Sequence, residues 1–383
     1  MRKRDLNIEL MRLVLMYLIC MIHAVGYVPA RWDHWLTNIC FMGVLGFVLI
    51  SGYFGIRFSW MKALKLEGVG VGCAMTVIAL SLPFDPANRS IAHAFNEVVR
   101  LWKGYWFIHA YVVMMCLAPL VEHLFEDCEI EKLRNLKFHN DQLHNATIST
   151  TTPNPKPQTT SVQLPTTNLK LVLPVLLLVY GWSFLMLVPG IQKFVPRTPG
   201  LEAFSGITLF AVYLVGRLYR TYDLDSKLSV EWVVPVTLAA ALVSACVIPP
   251  SNGWGGIFAR YNSPSLLVFA LGFFWLFRKL RRGYKPQVTN YQPSTTNTNP
   301  STTNYQLQTL LTWIGPSIFS IYLIHCNDYG YKVFGQMESW LAGHGCGSYL
   351  VFLALATSAF FGCLLLDIPR RLVAWALLKI VKL

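Results

Sequence analysis

Arg12 and His23 stand eleven residues apart within one apolar stretch, Leu10–Val28. On an α-helix eleven residues turn through about 1100°, within roughly 20° of three full turns, so both side chains share a face. Their separation along the axis is about 16 Å, on the order of half the hydrocarbon thickness of a bilayer. A permanent cation and an imidazole held at two depths of one apolar helix face make a polar path. Imidazole exchanges protons near neutral pH, and a guanidinium fork grips phosphate or a carbonyl oxygen. Ionisable groups inside such a helix are functional candidates by default, the plainer alternative being a snorkelling Arg and a His bonded to a neighbouring helix. Glu9, three residues before Arg12, is spaced to neutralise it.

The elements that must position these groups are apolar helices. Hydrophobic residues make up 54% of the 383 residues and charged residues 13%, with a mean hydropathy of +0.45, values that exclude an ordinary soluble domain. Ten runs approach the roughly 20 residues needed to cross a bilayer as a helix: 10–28, 36–55, 62–83, 104–125, 170–190, 203–219, 230–249, 264–278, 308–326 and 347–368. The expected fold is therefore all-α, a polytopic membrane helix bundle of about ten transmembrane helices forming one domain over residues 1–383.

The net charge of +13 suggests nucleic acid until its distribution is considered. With the N-terminus in the cytoplasm, 24 of the 32 basic residues fall on the inner side. Arg31, Arg89, Arg100, Lys103, Lys193, Arg197, Arg260 and Lys332 fall outside. A bias repeated loop after loop is the positive-inside pattern of an even number of spans. Both termini are expected in the cytoplasm, membrane lipids are the expected surroundings, and no nucleic-acid partner is expected. Arg2-Lys3-Arg4 and the apolar core behind it resemble a cleaved signal, but no clear A-x-A site follows.

The nine cysteines show no metal-ligand spacing, so no metal site is expected. Cys326 and Cys346 flank the last outer loop, and both a disulfide and free thiols remain open there. Residues 139–169 and 286–308 are rich in Thr, Asn, Pro, Gln and Ser and repeat a short theme, as in Pro165-Thr166-Thr167-Asn168 and Ser301-Thr302-Thr303-Asn304. Such composition buries too little apolar surface to offset ordering entropy, so both are expected to be disordered cytoplasmic loops.

Four segments together resemble the acyltransferase-3 family of integral membrane proteins. Asn7-Ile8-Glu9-Leu10-Met11-Arg12, followed by ten residues and His23, is similar to the family's opening helix. Ile50-Ser51-Gly52-Tyr53-Phe54-Gly55 resembles its Ser-Gly-aromatic segment. Tyr105-Trp106-Phe107, with Tyr111 and Pro119, resembles its Trp-aromatic helix, and Tyr322-Leu323-Ile324-His325 its late Tyr-x-x-His helix. The resemblance covers residue 7 to about 371, broken by the two polar loops. It implies a multi-pass enzyme of the bacterial inner membrane that moves an acyl group, usually acetyl, from cytoplasmic acyl-CoA to a hydroxyl of a surface polysaccharide or its lipid-linked precursor. No bound cofactor is implied; acyl-CoA is a substrate. Where one branch carries Trp-Ser-Leu-x-x-Glu, this chain has Trp106-Phe107-Ile108-His109, so a carboxylate is missing. The pattern is closer to the compact surface-polysaccharide branch.

On this resemblance His23 would deprotonate the acceptor hydroxyl or carry the acyl group as an acyl-imidazole, two alternatives the sequence leaves open. Arg12 would hold the donor. Donor or substrate contacts are expected from Glu9, Ser51, Gly52, Tyr53, Trp106, His109, Tyr322 and His325. Packing explains small residues such as Ser51 and Gly52 equally well, and an interfacial belt explains Trp106. The cluster Arg278, Lys279, Arg281 and Arg282 is expected to anchor lipid head groups. The alternative function is a transporter or glycan exporter with Arg12 and His23 lining its path. Buried carboxylates would mark a proton-coupled transporter, and the spans hold few: Glu9, Glu67 and Asp367.

Overall fold

Asp5 starts the first helix. Its carboxylate accepts a hydrogen bond from the Asn7 N–H at 3.2 Å, satisfying one donor that a helix start leaves open. The helix, α1, runs Leu6–Val25. Its core-facing stripe, including Met11, Leu15 and Cys20, is completely buried. The computed structural model describes residues 5–26, 33–122, 125, 166–185, 188, 205–245, 261–280, 309–311 and 313–381. Among these, all regular structure is helical.

After α1 come α2 (Asp33–Cys40), α3 (Met42–Phe54), α4 (Trp60–Ser81), α5 (Ile91–Gly104), α6 (Trp106–Leu117), α7 (Thr166–Leu185), α8 (Gly206–Thr221) and the single turn α9 (Leu224–Lys227). Then follow α10 (Val230–Ala245), α11 (Pro264–Leu280), α12 (Ile318–His325), α13 (Asp328–Gly343) and α14 (Ser348–Val381). Each of the ten expected apolar runs has a helix at its position. Four helices among the described residues are long and apolar enough to cross a membrane: Leu6–Val25, Thr37–Phe54, Trp60–Ser81 and Ser348–Ala376. Two bent pairs raise this to six if each is one span: Ile91–Gly104 with Trp106–Glu122, at 56°, and Thr309–His325 with Asp328–Gly343, at 79°. The polar loop expected over 139–169 ends earlier than composition suggests, because α7 begins at Thr166. The rest of it, and all of 286–308, lie outside the described residues.

The fourth apolar run also departs from expectation. Residues 91–104 form a helix that packs on α4, and the chain bends at Tyr105 before α6 begins. Helix α5 escapes a hydropathy reading because it carries Glu97, Arg100 and Lys103. Arg100 pairs with Glu97 at 2.7 Å, one turn apart, and reaches Asp328 at the start of α13.

Helix α1 is the hub, in contact with α2, α3, α11, α12 and α14. The close crossing of α3 and α8 depends on two glycines. A methyl on Gly52 would lie 2.2 Å from the Tyr213 carbonyl oxygen, and one on Gly216 would lie 2.6 Å from the Leu49 carbonyl oxygen. Small residues let backbones meet this closely where lipid supplies no hydrophobic drive. Gly55, at φ 75°, then ends α3 in a conformation side chains rarely adopt. Buried Arg217 of α8 sits against it, pairing with Glu122 at 3.3 Å.

A second anchor ties five elements at the same end. Arg278 of α11 binds Asp225 of α9 at 3.0 Å, Asp5 at 3.0 Å and the Tyr53 hydroxyl at 2.7 Å. Tyr219 donates to the other Asp225 oxygen at 2.8 Å. Arg278 is thus committed inside the protein, correcting its expected place among lipid head groups. Asp367 of α14, fully buried, pairs with Arg370 at 2.5 Å, and Arg370 reaches Ser320 of α12 at 3.1 Å.

Gly52→Ala is expected to lower the unfolding temperature in detergent, since overpacking costs about 1–3 kcal/mol. Gly68→Ala, where an added methyl meets nothing within 4 Å, is expected to leave it unchanged. Equal effects in a melting comparison would refute the close-crossing account.

Candidate functional site

A cavity of about 280 Å³ follows the polar face of α1, with Arg12 and His23 both in its wall. At the Arg12 end the other wall is Ser51 of α3 and Tyr111 of α6. Ser51 donates to the Phe47 carbonyl at 2.9 Å, so Tyr111, 2.9 Å from the Ser51 oxygen, is the donor in that contact. At the His23 end the wall is Trp106, Tyr261 and Tyr322. Trp106 lies against Tyr261, ring centroids 5.6 Å apart. Eleven residues of helix therefore span the cavity from end to end.

Glu9 neutralises Arg12 by accepting from Nη1 at 2.8 Å. Among the described residues Arg12's hydrogen bonding is confined to that one nitrogen of its fork, and its side chain is 36% exposed. The remaining N–H groups are placed to meet an anionic or carbonyl oxygen.

At the other end His23 is bonded to a second histidine from far along the chain. His23 Nδ1 lies 2.9 Å from His325 Nε2. The tautomers follow from the last acceptor in the row. His325 Nδ1 faces the Ile321 carbonyl oxygen at 2.5 Å, which only accepts, so His325 carries its proton on Nδ1. Its Nε2 then accepts, His23 donates from Nδ1, and the basic lone pair of a neutral His23 is left on Nε2. That nitrogen lies 3.2 Å from the Cys326 sulfur.

Of the residues singled out in the sequence, Arg12, His23, Ser51, Trp106 and Tyr322 line this one cavity, and Glu9 and His325 touch it through Arg12 and His23. Three others lie elsewhere. Gly52 is used in the crossing of α3 and α8, and Tyr53 belongs to the Arg278 anchor. His109 pins α6 to α4 and α5: its Nε2 donates to the Trp102 carbonyl at 3.0 Å while Nδ1 faces Glu67 at 3.3 Å. Glu67, which also accepts from Trp102 Nε1 at 2.7 Å, brings a carboxylate from α4 against His109. Sequence reasoning missed Tyr261 and the Cys326 contact. The signal for the second was its place directly after His325. Cys326 and Cys346 are both free thiols.

Among the described residues, an all-helical bundle with four to six helices apolar enough to cross a membrane, enclosing a pocket with a guanidinium at one end and an imidazole at the other, has the build of a multi-pass membrane protein. The family model described as acyltransferase domain matches residues 5–368, nearly the whole chain, and this protein belongs to that acyltransferase-3 family. No curated protein and no solved structure matches it.

Because the Tyr53 hydroxyl serves the Arg278 anchor, Tyr53→Phe is expected to destabilise the protein by about 1.5–3 kcal/mol, the usual worth of a hydrogen bond to a charged group. The KM for both substrates should stay at the wild-type value. A raised KM in steady-state assays would return Tyr53 to substrate binding.

Proposed function

We propose that this acyltransferase moves an acetyl group from cytoplasmic acyl-CoA to a hydroxyl of a surface polysaccharide or its lipid-linked precursor. It belongs to the compact polysaccharide branch and crosses the bacterial inner membrane ten times, with both termini in the cytoplasm and the low-complexity loops as dispensable insertions. The observation that carries the reading is the cavity with Arg12 and His23 at its two ends. Basic residues crowd the Arg12 side, 24 of the 32 on this topology, as the positive-inside rule requires of a cytoplasmic face. A thioester arm entering from that side spans about 16 Å of helix to reach His23.

The chemistry needs a base and a fixed donor. Arg12 holds the phosphates or carbonyl of the donor through the part of its fork that Glu9 leaves open. His23, neutral and presenting Nε2, takes the proton of the attacking group. Its orientation is fixed by His325, which acts through His23 as a positioning residue. Trp106, beside Tyr261, offers an aromatic face to a sugar ring. Acyl-CoA, the glycan acceptor and the surrounding lipids are the partners of this reading, with no bound cofactor.

The test is transfer of labelled acetyl from acetyl-CoA to extracted surface glycan by the purified protein in lipid nanodiscs. His23→Ala is expected to stay folded and lose about 10²–10⁴-fold in rate, the usual share of a general base. Arg12→Lys should raise the KM for acetyl-CoA more than it lowers kcat, because an ammonium cannot make a two-pronged contact. Near wild-type transfer by His23→Ala would overturn the reading.

A further inference from the structure

The reading above leaves one nucleophile beside His23 without a role. Cys326 caps α12 at the bend into α13. Its sulfur lies 3.2 Å from His23 Nε2 and 3.6 Å from the Tyr331 hydroxyl. Since His23 Nδ1 is occupied as a donor to His325, Nε2 can only accept, and the Cys326 thiol is the group that donates to it. The row runs thiol, imidazole, second imidazole, backbone carbonyl. A nucleophile within hydrogen-bond reach of a base, itself oriented by a third group, is the arrangement that activates side chains for covalent catalysis.

Two further observations bear on the same spot. The Tyr105 hydroxyl is buried and makes no hydrogen bond among the described residues, and the Tyr322 hydroxyl is buried beside Cys326. Tyr105 is 1% exposed and Tyr322 6%. A buried hydroxyl without a partner is costly and calls for an explanation. Donors held ready for an oxyanion that forms only during reaction supply one. The cavity reaches this spot through His23 and Tyr322, which both stand in its wall. Metal ligation is a poorer account of the row, because among the described residues no three His, Cys, Asp or Glu side chains are grouped to hold an ion.

We propose that Cys326 is the residue that first takes the acyl group, making the transfer a two-step, ping-pong reaction. The inference rests on the acyltransferase reading above and adds to it a covalent thioester on the enzyme. In the first step His23 Nε2 takes the thiol proton and the Cys326 sulfur attacks the donor thioester carbonyl. The new carbon–sulfur bond forms as the old one breaks, and the departing thiolate takes the proton back from His23. One thioester replaces another, with no oxidation. In the second step His23 takes the proton of the sugar hydroxyl, whose oxygen attacks the Cys326 thioester. The carbon–oxygen bond forms, the carbon–sulfur bond breaks, and His23 returns the proton to the Cys326 thiolate. Tyr105 and Tyr322 donate to the carbonyl oxygen as it gains charge.

The experiment incubates the purified full-length protein with radiolabelled acetyl-CoA without acceptor, then digests it and maps the label. Expected is label on the peptide holding Cys326, released by neutral hydroxylamine and chased off by added glycan. Cys326→Ala should carry no label and transfer no faster than His23→Ala. The double variant should be no worse than either, since residues acting as a unit are not additive. Should Cys326→Ala fail to fold, mapping on the wild-type protein decides alone, and label on His23 or no label overturns the proposal. Full transfer by Cys326→Ala while His23→Ala stays inactive would also overturn it and leave the acyltransferase reading standing. Loss of transfer in neither variant would overturn both.

Discussion

The hydrogen bond between His23 and His325 joins side chains 302 residues apart and sets the geometry of the reactive end. It fixes how α1 is rolled against α12, which imidazole nitrogen is bare, and which side chains surround that nitrogen. The constraint behind it is general: inside an apolar bundle a polar group that finds no partner is costly. His23 satisfies one nitrogen on His325, and His325 satisfies its own on the Ile321 carbonyl. The row can be read in one direction only because it ends on a group that cannot donate.

Around that bond the bundle behaves as two anchors and a hub. The Arg278 network holds the start of α1 to α3, α9 and α11. The Asp367–Arg370 pair holds α14 to α12 through Ser320. Helix α1 packs against both α11 and α14, one from each anchor. A cavity wall built from helices this constrained keeps Arg12 and His23 at a fixed separation, and a fixed separation is what a site built on proximity requires.

Much of this was legible in the chain because it depends on period and composition. Each apolar run has a helix, and the eleven-residue spacing brings Arg12 and His23 into one cavity wall, since helical geometry is local. What escaped depends on distant partners. Helix α5 carries three charges in 14 residues, and only the ion pairs it makes with itself and α13 show how they are accommodated. Tyr53 and Gly52 sit in the same short motif as Ser51, yet only Ser51 reaches the cavity, because one helical turn points its side chains at three different neighbours. His109 reads as a donor or substrate contact until Glu67 arrives from α4. Arg278 reads as a surface cation until Asp5 and Asp225 enclose it.

Three acidic residues sit three positions before an arginine on their own helix: Glu9 and Arg12 in α1, Glu97 and Arg100 in α5, Asp367 and Arg370 in α14. Each of these helices brings its counter-ion with it. A nascent segment leaving the ribosome meets lipid before its later neighbours exist, and a lone arginine at mid-helix costs about 2.5–3.5 kcal/mol on insertion. Self-neutralising pairs remove that penalty at the moment it would arise. Arg217 and Arg278 are different, for their carboxylates lie on other segments. Asp5 precedes Arg278 by 273 residues and Glu122 precedes Arg217 by 95, so both partners are already made when the arginine emerges. The order of the chain thus becomes an order of assembly, in which Arg12, Arg217, Arg278 and Arg370 each find a carboxylate already synthesised when they emerge.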